Sequence, residues 1–236
     1  PDGWTWCVTN PETLKLLREL RGELIDLCGS GSYFHLGCDE AYSFATCGEC
    51  GKHESYELLA EYLNNIQSEL AKSGRRAIVW HDQFLKRSDC DPEFKEHIVV
   101  SYSLGVPAGD TTPAVDLLDK SIVIADWQYS YTTNVNPSTP FFIEKGFDVI
   151  CCPWDDPRNV RGLCESARSN GAMGVMLTTW DHLPTYIPKI PRFANFVWQE
   201  GDYKNPPQTE VAALLRKLGD FNTFETAGWN RTEVDD

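Results

Sequence analysis

The stretch Tyr33-Phe34-His35-Leu36-Gly37-Cys38-Asp39-Glu40 passes from an apolar run directly into two adjacent acids. The apolar part predicts a buried strand whose side chains alternate between two faces. Carboxylates at the carboxyl end of such a strand stand where parallel α/β folds place their chemistry. The two acids could also begin the next helix, since the helix dipole favours negative charge there. This stretch alone gives both interpretations equal weight.

Short apolar runs alternate with amphipathic segments along the rest of the chain. The apolar runs predict strands, at residues 4–9, 33–38, 77–80, 98–102, 122–125, 149–152 and 175–179. The amphipathic segments predict helices, at residues 11–28, 59–70, 141–145, 160–169 and 211–218. This alternation indicates a parallel α/β sheet. No linker or tandem repeat interrupts it, so residues 1–236 are predicted to form a single domain.

Acids and aromatic residues end five of these predicted strands. The five endings are Asp39-Glu40, Trp80-His81-Asp82, Asp126-Trp127, Trp154-Asp155 and Trp180-Asp181. A ring of such residues around one mouth is typical of the active site of a (β/α)8 barrel. Carboxylates between Trp walls suit a sugar, because acids hydrogen-bond hydroxyls or move protons while flat rings stack on the pyranose. The predicted function is therefore the binding or cleavage of a glycan.

Composition excludes several other classes of partner. The net charge of −14 argues against nucleic acid and anionic membranes, because binding phosphates requires clustered Lys and Arg. No run of about 18 apolar residues is present, so no membrane span is expected. Nine cysteines, several of them inside predicted strands, favour reduced thiols and a cytoplasmic location. No cofactor is expected.

Residues 34–40 resemble the H-x-G-G-D-E signature of the family-20 glycoside hydrolases, the β-N-acetylhexosaminidases. Cys38 replaces the second glycine, a variant associated with the hexosaminidase D-like branch. Asn10-Pro11-Glu12-Thr13 resembles the start of the preceding helix in that family. Later strand ends resemble the family's pocket in order, at Val79-Trp80, Asp126-Trp127, Cys152-Pro153-Trp154 and Thr179-Trp180-Asp181. The resemblance implies a (β/α)8 barrel of the TIM type that acts on terminal β-linked N-acetylhexosamine.

The resemblance also implies substrate-assisted retaining catalysis, an exception to the usual pair of flanking carboxylates. Glu40 is then the general acid and base, with its pKa expected to be raised towards neutrality. Asp39 is expected to stay ionised and to orient the 2-acetamido group. The remaining implied contacts are an acetamido cage of Trp80, Trp127 and Trp154, a floor of Trp180 and a sugar-hydroxyl ligand at Asp181.

Two further residues are candidates near the acid pair. His35 is expected to be a buried residue that orients the pair, and Asp82 is expected to tune Glu40 or contact the sugar.

The chain departs from the family at several points. Asp155 stands where the family often has a tyrosine that holds the acetamido carbonyl, and Tyr129 or Tyr131 could replace it. If the acid pair marks the fourth barrel strand, only residues 4–9 precede it. The chain is therefore expected to be the part of a barrel from about its third strand onward, completed by an N-terminal segment or another chain.

Two other functions remain open. One is a carbohydrate-binding barrel without catalysis. The other is a conventional retaining glycosidase that pairs Glu40 with a distant acid, Asp126 or Asp181.

Cys47-x-x-Cys50 followed by His53 is a separate candidate for a metal site. Cys38, Cys90 or a further residue could complete a zinc ligand set. A second C-x-x-C is absent, so a loop with free thiols is the favoured interpretation. A redox dithiol is disfavoured further, because the motif does not follow a strand that leads into a helix.

Overall fold

The structure, a computed structural model, describes residues 5–89, 109–132, 136–180 and 189–199. The chain divides into two compact units, Pro1–Thr178 and Thr179–Asp236. The sheet and the candidate site both belong to the first unit. In the second unit the described residues include one helix, α5, at Ile190–Gln199. The prediction of a single domain over residues 1–236 stays a prediction.

A parallel sheet of five strands forms the centre of the first unit, and its strands are ordered as they occur in the chain. The strands are β1 (Tyr33–His35), β2 (Arg76–Trp80), β3 (Val123–Trp127), β4 (Asp148–Cys152) and β5 (Gly174–Val175). Each strand pairs with its neighbour in parallel register, for example Phe34 with Ala77 and Val79 with Ile124. Sequential parallel order is the topology of a (β/α)8 barrel. The described strands therefore form part of such a barrel.

Among the described residues four α-helices accompany the sheet; α1 begins where the sequence predicts, and the other three begin three or four residues before their predicted starts. They are α1 (Pro11–Cys28), α2 (Ser55–Ala71), α3 (Ser138–Glu144) and α4 (Pro157–Asn170). The Asn10 side chain accepts from two backbone N–H groups at the start of α1, and Gly29, with φ of +70°, ends that helix. No helix within the described ranges is both long and apolar enough to cross a membrane.

The two faces of the sheet bury different sets of side chains. Alternate residues such as Val79, Ile124 and Val149 pack into the main core, which also contains the apolar face of α2. The intervening residues form a second cluster on the inner face, made of Ile78, Trp80, Val123, Ala125 and Cys152. Because side chains alternate along a strand, the inner face receives Trp127 while Asp126 points to the opposite side.

Helix α1 differs from the other helices because it buries none of its side chains. Leu16, Leu20 and Leu27 are exposed, although their spacing gives the helix an apolar face. Charged contacts connect α1 to α2: Arg18 and Arg21 both form ion pairs with Glu69, at 2.7 and 3.0 Å.

Three strand predictions are wrong in detail, and two predicted elements lie outside the described residues. The strand predicted at residues 175–179 is β5, which ends at Val175. Residues 5–9 do not form a strand, because this segment packs against the loop after β1 instead of pairing with the sheet. Strand β1 ends at His35 and not at Cys38, because Gly37 and Cys38 adopt positive φ. The predicted strand 98–102 and helix 211–218 fall outside the described residues.

Candidate active site

The acid pair lies in an irregular turn directly after β1. Gly37, Cys38 and Glu40 have φ values of +74°, +69° and +47°. Glycine tolerates this region, but other residues adopt it at a cost of about 1–3 kcal/mol each. Two non-glycine residues with positive φ beside adjacent acids are typical of a functional site, where surrounding contacts hold the strained backbone in place. Both acids are half-buried.

Asp82 holds this turn from the end of β2. Its side chain is completely buried, and its Oδ2 accepts the backbone N–H of Glu40 at 2.9 Å. Its Oδ1 accepts the indole N–H of Trp127 at 3.3 Å. One carboxylate therefore connects the acid pair after β1 with the aromatic residue that ends β3.

The surroundings of the acid pair shift the pKa of two groups in the same direction. Burial raises the pKa of Asp39, and the negative charges of Asp82 and Glu40 add to the effect. Burial also raises the pKa of Tyr42, as do its hydrogen bond to the Glu40 side chain and the charge of that carboxylate. Tyr42 therefore stays protonated and donates to Glu40. No pattern in the sequence identifies this tyrosine, because it follows the motif in an irregular loop.

His35 lies beneath the acid turn against Trp80. The two rings are 4.5 Å apart at their centroids. The His35 Nδ1 accepts the N–H of Gly37 at 3.0 Å, and burial lowers the pKa of His35 to about 4. The imidazole is therefore neutral near pH 7 and helps to fix the turn. Its Nε2 is buried and has no hydrogen-bond partner.

A row of three aromatic rings begins at Trp127, which bonds to Asp82, and runs through Tyr129 to Trp154. The centroid of Tyr129 lies 5.2 Å from that of Trp127 and 5.4 Å from that of Trp154. All three side chains are half-buried. Tyr131, the other tyrosine considered from the sequence, is buried in the main core. Tyr129 is thus the tyrosine that the structure places with the tryptophans.

Asn159 fixes the two loops that carry these rings. Its side-chain oxygen accepts the N–H of Trp154 at 3.0 Å. Its amide nitrogen donates to the carbonyl oxygens of Gln128, at 2.8 Å, and Tyr131. This residue in the first turn of α4 is almost fully buried, and no motif in the sequence identifies it.

Asp126 does not lie with the acid pair. It is completely buried on the helix side of the sheet, where Ser138, Thr139 and Asn136 donate to its carboxylate at 2.7 to 3.1 Å. Its role is to anchor α3 to β3. The sequence-based suggestion of Asp126 as a second catalytic acid is therefore wrong, and the period of two along β3 is the physical reason.

The remaining predicted site residues have separate positions. Asp155 is half-buried and follows Trp154 in the loop before α4. Trp180 belongs to the second unit and is half exposed. Asp181 lies outside the described residues.

Three cysteine sulfurs converge beyond the acid turn. Cys47 and Cys50 lie with Cys7, and their sulfurs are all within 4.8 Å of one another. A hydrogen bond with Thr9 lowers the pKa of Cys7 to about 7. His53 is not part of this group, and Cys38 has a pKa raised to about 12 by burial. Cys90 lies outside the described residues. The structure thus brings two of the predicted metal ligands, Cys47 and Cys50, together with Cys7, which the sequence did not predict as a ligand.

Solved structures with a similar fold come from family-20 enzymes. A chitobiase from Flavobacterium johnsoniae aligns with a TM-score of 0.50 at 16% identity, over 92% of this chain and 32% of the chitobiase. An inactive mutant of an exo-β-N-acetylglucosaminidase from Vibrio harveyi also gives a TM-score of 0.50, at 15% identity, over 92% of this chain and 36% of the enzyme. The chain thus spans about a third of the length of either protein. At such identities the similarity shows the fold alone. No curated protein matches the chain.

A family match covers most of the first unit. The sequence model for the catalytic domain of glycosyl hydrolase family 20 matches residues 1–160. This range includes the acid pair, Asp82, the three rings of Trp127, Tyr129 and Trp154, and the cysteine group. The match, over more than half of the chain, agrees with the parallel barrel strands, and the chain belongs to glycosyl hydrolase family 20.

Proposed function

We propose that this chain is part of a glycosidase that removes terminal β-linked N-acetylhexosamine, either GlcNAc or GalNAc, from a glycan or glycoconjugate. The observation that carries this proposal is the contact between Asp82 and both Glu40 and Trp127. Through it, two adjacent acids in a strained turn are held next to a row of half-buried aromatic rings. Charged groups beside flat apolar surfaces suit a ligand that has hydroxyls on one side and C–H groups on the other.

In the proposed mechanism the substrate supplies the nucleophile. The 2-acetamido oxygen attacks the anomeric carbon, and Glu40 protonates the departing glycosidic oxygen. The resulting oxazolinium ion is opened by a water molecule, whose proton returns to Glu40. Asp39 accepts the acetamido N–H and stabilises the positive charge that develops on this group. Adjacent acids can share the reaction in this way because only one of them transfers the proton.

The contacts of each acid are consistent with this division of roles. Tyr42 donates to Glu40, which supports a fixed orientation of the carboxyl group that transfers the proton. Asp39 is the acid whose pKa is raised by burial and by two neighbouring carboxylates. Its charged form is therefore lost at a higher pH than that of an ordinary aspartate, and activity should fall on the acidic side accordingly.

The aromatic residues supply the proposed sugar contacts. Trp127, Tyr129 and Trp154 present partly exposed rings near the acid pair, and Tyr129 takes the role that a tyrosine has after the Pro-Trp in the family. Trp80 is buried against His35, and its place in the acetamido cage stays part of the proposal. Trp180 as a floor and Asp181 as a sugar-hydroxyl ligand stay part of the proposal, as do the hexosaminidase D-like assignment and a cytoplasmic location.

The experiment compares the parent protein with its Glu40→Gln variant on a chromogenic β-N-acetylglucosaminide. We expect kcat to fall by at least about 100-fold, since general acid catalysis contributes about 10²–10⁴ in rate. Glu57→Gln on α2 is the matched control and should leave the rate unchanged. Equal turnover by parent and Glu40→Gln proteins would refute the role of Glu40.

A second substrate distinguishes the proposed mechanism from a conventional one. Replacing the acetamido group by a hydroxyl should abolish turnover, because the nucleophile is then missing. A two-carboxylate glycosidase would retain turnover on that substrate. Binding of N-acetylglucosamine without turnover of either substrate would instead indicate a carbohydrate-binding protein.

A further inference from the structure

The sulfurs of Cys7, Cys47 and Cys50 have the spacing of metal-bound thiolates. The Cys7 sulfur lies 3.5 Å from that of Cys47 and 3.6 Å from that of Cys50. Two thiolates on a tetrahedral zinc ion are about 3.8 Å apart, because each Zn–S bond is about 2.3 Å long. A disulfide would need a separation of about 2.05 Å. The three sulfurs form a compact triangle with no covalent bond.

The backbone around Cys47 and Cys50 is folded as a tight turn that directs one N–H group at a sulfur. The N–H of Cys50 donates to the Cys47 sulfur at 3.4 Å, and the N–H of Gly51 donates to the Cys47 carbonyl at 2.8 Å. A backbone N–H aimed at a sulfur stabilises its thiolate form, as hydrogen bonds to metal ligands do in metal sites. The sequence Cys47-Gly48-Glu49-Cys50-Gly51 thus supplies two ligands and the turn that orients them.

Thr9 supports the third sulfur from the other segment. Its hydroxyl lies 3.4 Å from the Cys7 sulfur and 3.3 Å from the Cys50 sulfur. The cluster therefore joins two parts of the chain that are about 40 residues apart, each with its own polar support. Thiols that are close by chance would not need hydrogen bonds to sulfur from both segments of the chain.

We propose that Cys7, Cys47 and Cys50 bind a thiolate-preferring divalent ion, with Zn²⁺ as the expected metal. Three thiolates favour soft or borderline ions over Mg²⁺ and Ca²⁺, which prefer oxygen. A solvent molecule completes the tetrahedron. The ion has no part in the proposed sugar chemistry, and the site does not depend on the proposed function.

The consequence of the site is mechanical. The ion ties the segment before α1 to the loop that runs from Glu40 to α2, alongside a 3.0 Å contact between the hydroxyls of Thr5 and Ser43. Val8 and Phe44 are buried in the same region. A metal crosslink here therefore stabilises the loop that carries Tyr42, whose hydroxyl contacts Glu40.

The test measures metal content and thiol protection in the full chain, purified under reducing conditions. We expect about one zinc per chain, and an intense sulfur-to-metal charge-transfer band after replacement of zinc by Co²⁺. Cys7→Ser, Cys47→Ser and Cys50→Ser should each lose the metal. Cys28→Ser is the control, since Cys28 is exposed at the end of α1, and it should keep the metal.

A measurement on the unmutated protein guards against variants that do not fold. Alkylation with N-ethylmaleimide, mapped by mass spectrometry, should modify Cys28 with and without zinc. Cys7 and Cys47 should react at least about 10-fold faster after chelation, whereas Cys50 is buried and is tested by its serine variant. Absence of both zinc and a Co²⁺ charge-transfer band would overturn the proposal. Equal alkylation with and without metal, or a disulfide within the triangle in protein that binds no metal, would overturn it too.

Discussion

Replacing Asp82 with asparagine tests whether this buried carboxylate organises the site. Asp82 accepts the N–H of Glu40 at 2.9 Å and the indole N–H of Trp127 at 3.3 Å. Asparagine has the same shape but only one acceptor oxygen, so it turns an N–H towards one of these two donors. We expect it to keep the shorter bond to Glu40 and to lose the bond to Trp127.

The size of the effect follows from the lost hydrogen bond. A hydrogen bond to a charged group contributes about 1.5–3 kcal/mol, and 1.36 kcal/mol corresponds to a factor of ten in rate. Because Asp82 holds groups that contact the substrate in the proposed mechanism, kcat/KM for a chromogenic β-N-acetylglucosaminide should fall by about 10- to 150-fold. The fall should persist at the pH optimum of the variant.

A second measurement separates the effect of the Asp82 charge on the pKa of Asp39 from the effect of its hydrogen bonds on position. The charge of Asp82 raises the pKa of Asp39, so its removal should lower that pKa. In the proposed mechanism Asp39 must be ionised to orient the acetamido group, and in the variant its carboxylate stays ionised to lower pH. The acidic limb of the kcat/KM profile should therefore move to lower pH. The apparent pKa of this limb belongs to the interacting acids together, so the prediction concerns only the direction in which the limb moves.

The assay compares pH profiles of the parent protein, Asp82→Asn and the control Asp119→Asn. Asp119 is exposed and accepts from the N–H and hydroxyl of Ser121, so the same chemical change is made far from the acid pair. The control should match the parent protein in rate and profile. A limb that stays in place or moves to higher pH in Asp82→Asn would refute the electrostatic reasoning. An unchanged rate would refute the positioning role.

Two further substitutions test residues found only in the structure. Tyr42→Phe removes the hydroxyl that donates to Glu40, so kcat should fall by about 10-fold with little change in KM, and Tyr56→Phe on α2 is the control that should have no effect. Steady-state kinetics measures both variants, and an unchanged kcat in Tyr42→Phe would exclude a role for the hydroxyl. Asn159→Ala leaves the partners of a buried amide unsatisfied at a cost of about 3 kcal/mol, so Tm should fall by roughly 6–12 °C, with a smaller fall for the control Asn170→Ala at the end of α4. Thermal unfolding measures both variants, and equal Tm values would show that the two loops do not need the Asn159 hydrogen bonds.

Local signals in the sequence predict much of the fold. Asn10, Pro11 and Gly29 mark the ends of α1, because caps depend on neighbouring residues only. The strand endings at Trp80, Trp127 and Trp154 also identify the edge where aromatic residues gather. The end of β1 was misplaced, since an apolar run does not reveal that Gly37 and Cys38 adopt positive φ.

The contacts that complete the site connect distant parts of the chain. Asn159 bonds to one loop after β3 at two carbonyls, about 31 and 28 residues before it, and Cys7 meets the C-x-x-C turn about 40 residues later. No residue pattern within either segment predicts these long-range contacts. Asp126 is a different case, because it shares a strand face with Ile124, and strict alternation along β3 already directs it towards the helices.

Burial divides the carboxylates of this region into two chemical classes. Asp126 and Asp82 are completely buried, and each accepts several hydrogen bonds from protein donors, so each is committed to holding structure. Asp39 and Glu40 are half-buried and lie where the backbone turns through positive φ. A ligand can therefore reach these two acids without displacing a buried hydrogen bond. Because Asp82 bonds to the backbone N–H of Glu40 and its charge adds to the burial that raises the pKa of Asp39, this structural acid affects the position of one acid and the ionisation of the other. Alternation along β3 separates Asp126 from the acid pair, but sequence spacing does not separate Asp82, which like Asp39 and Glu40 follows an apolar run.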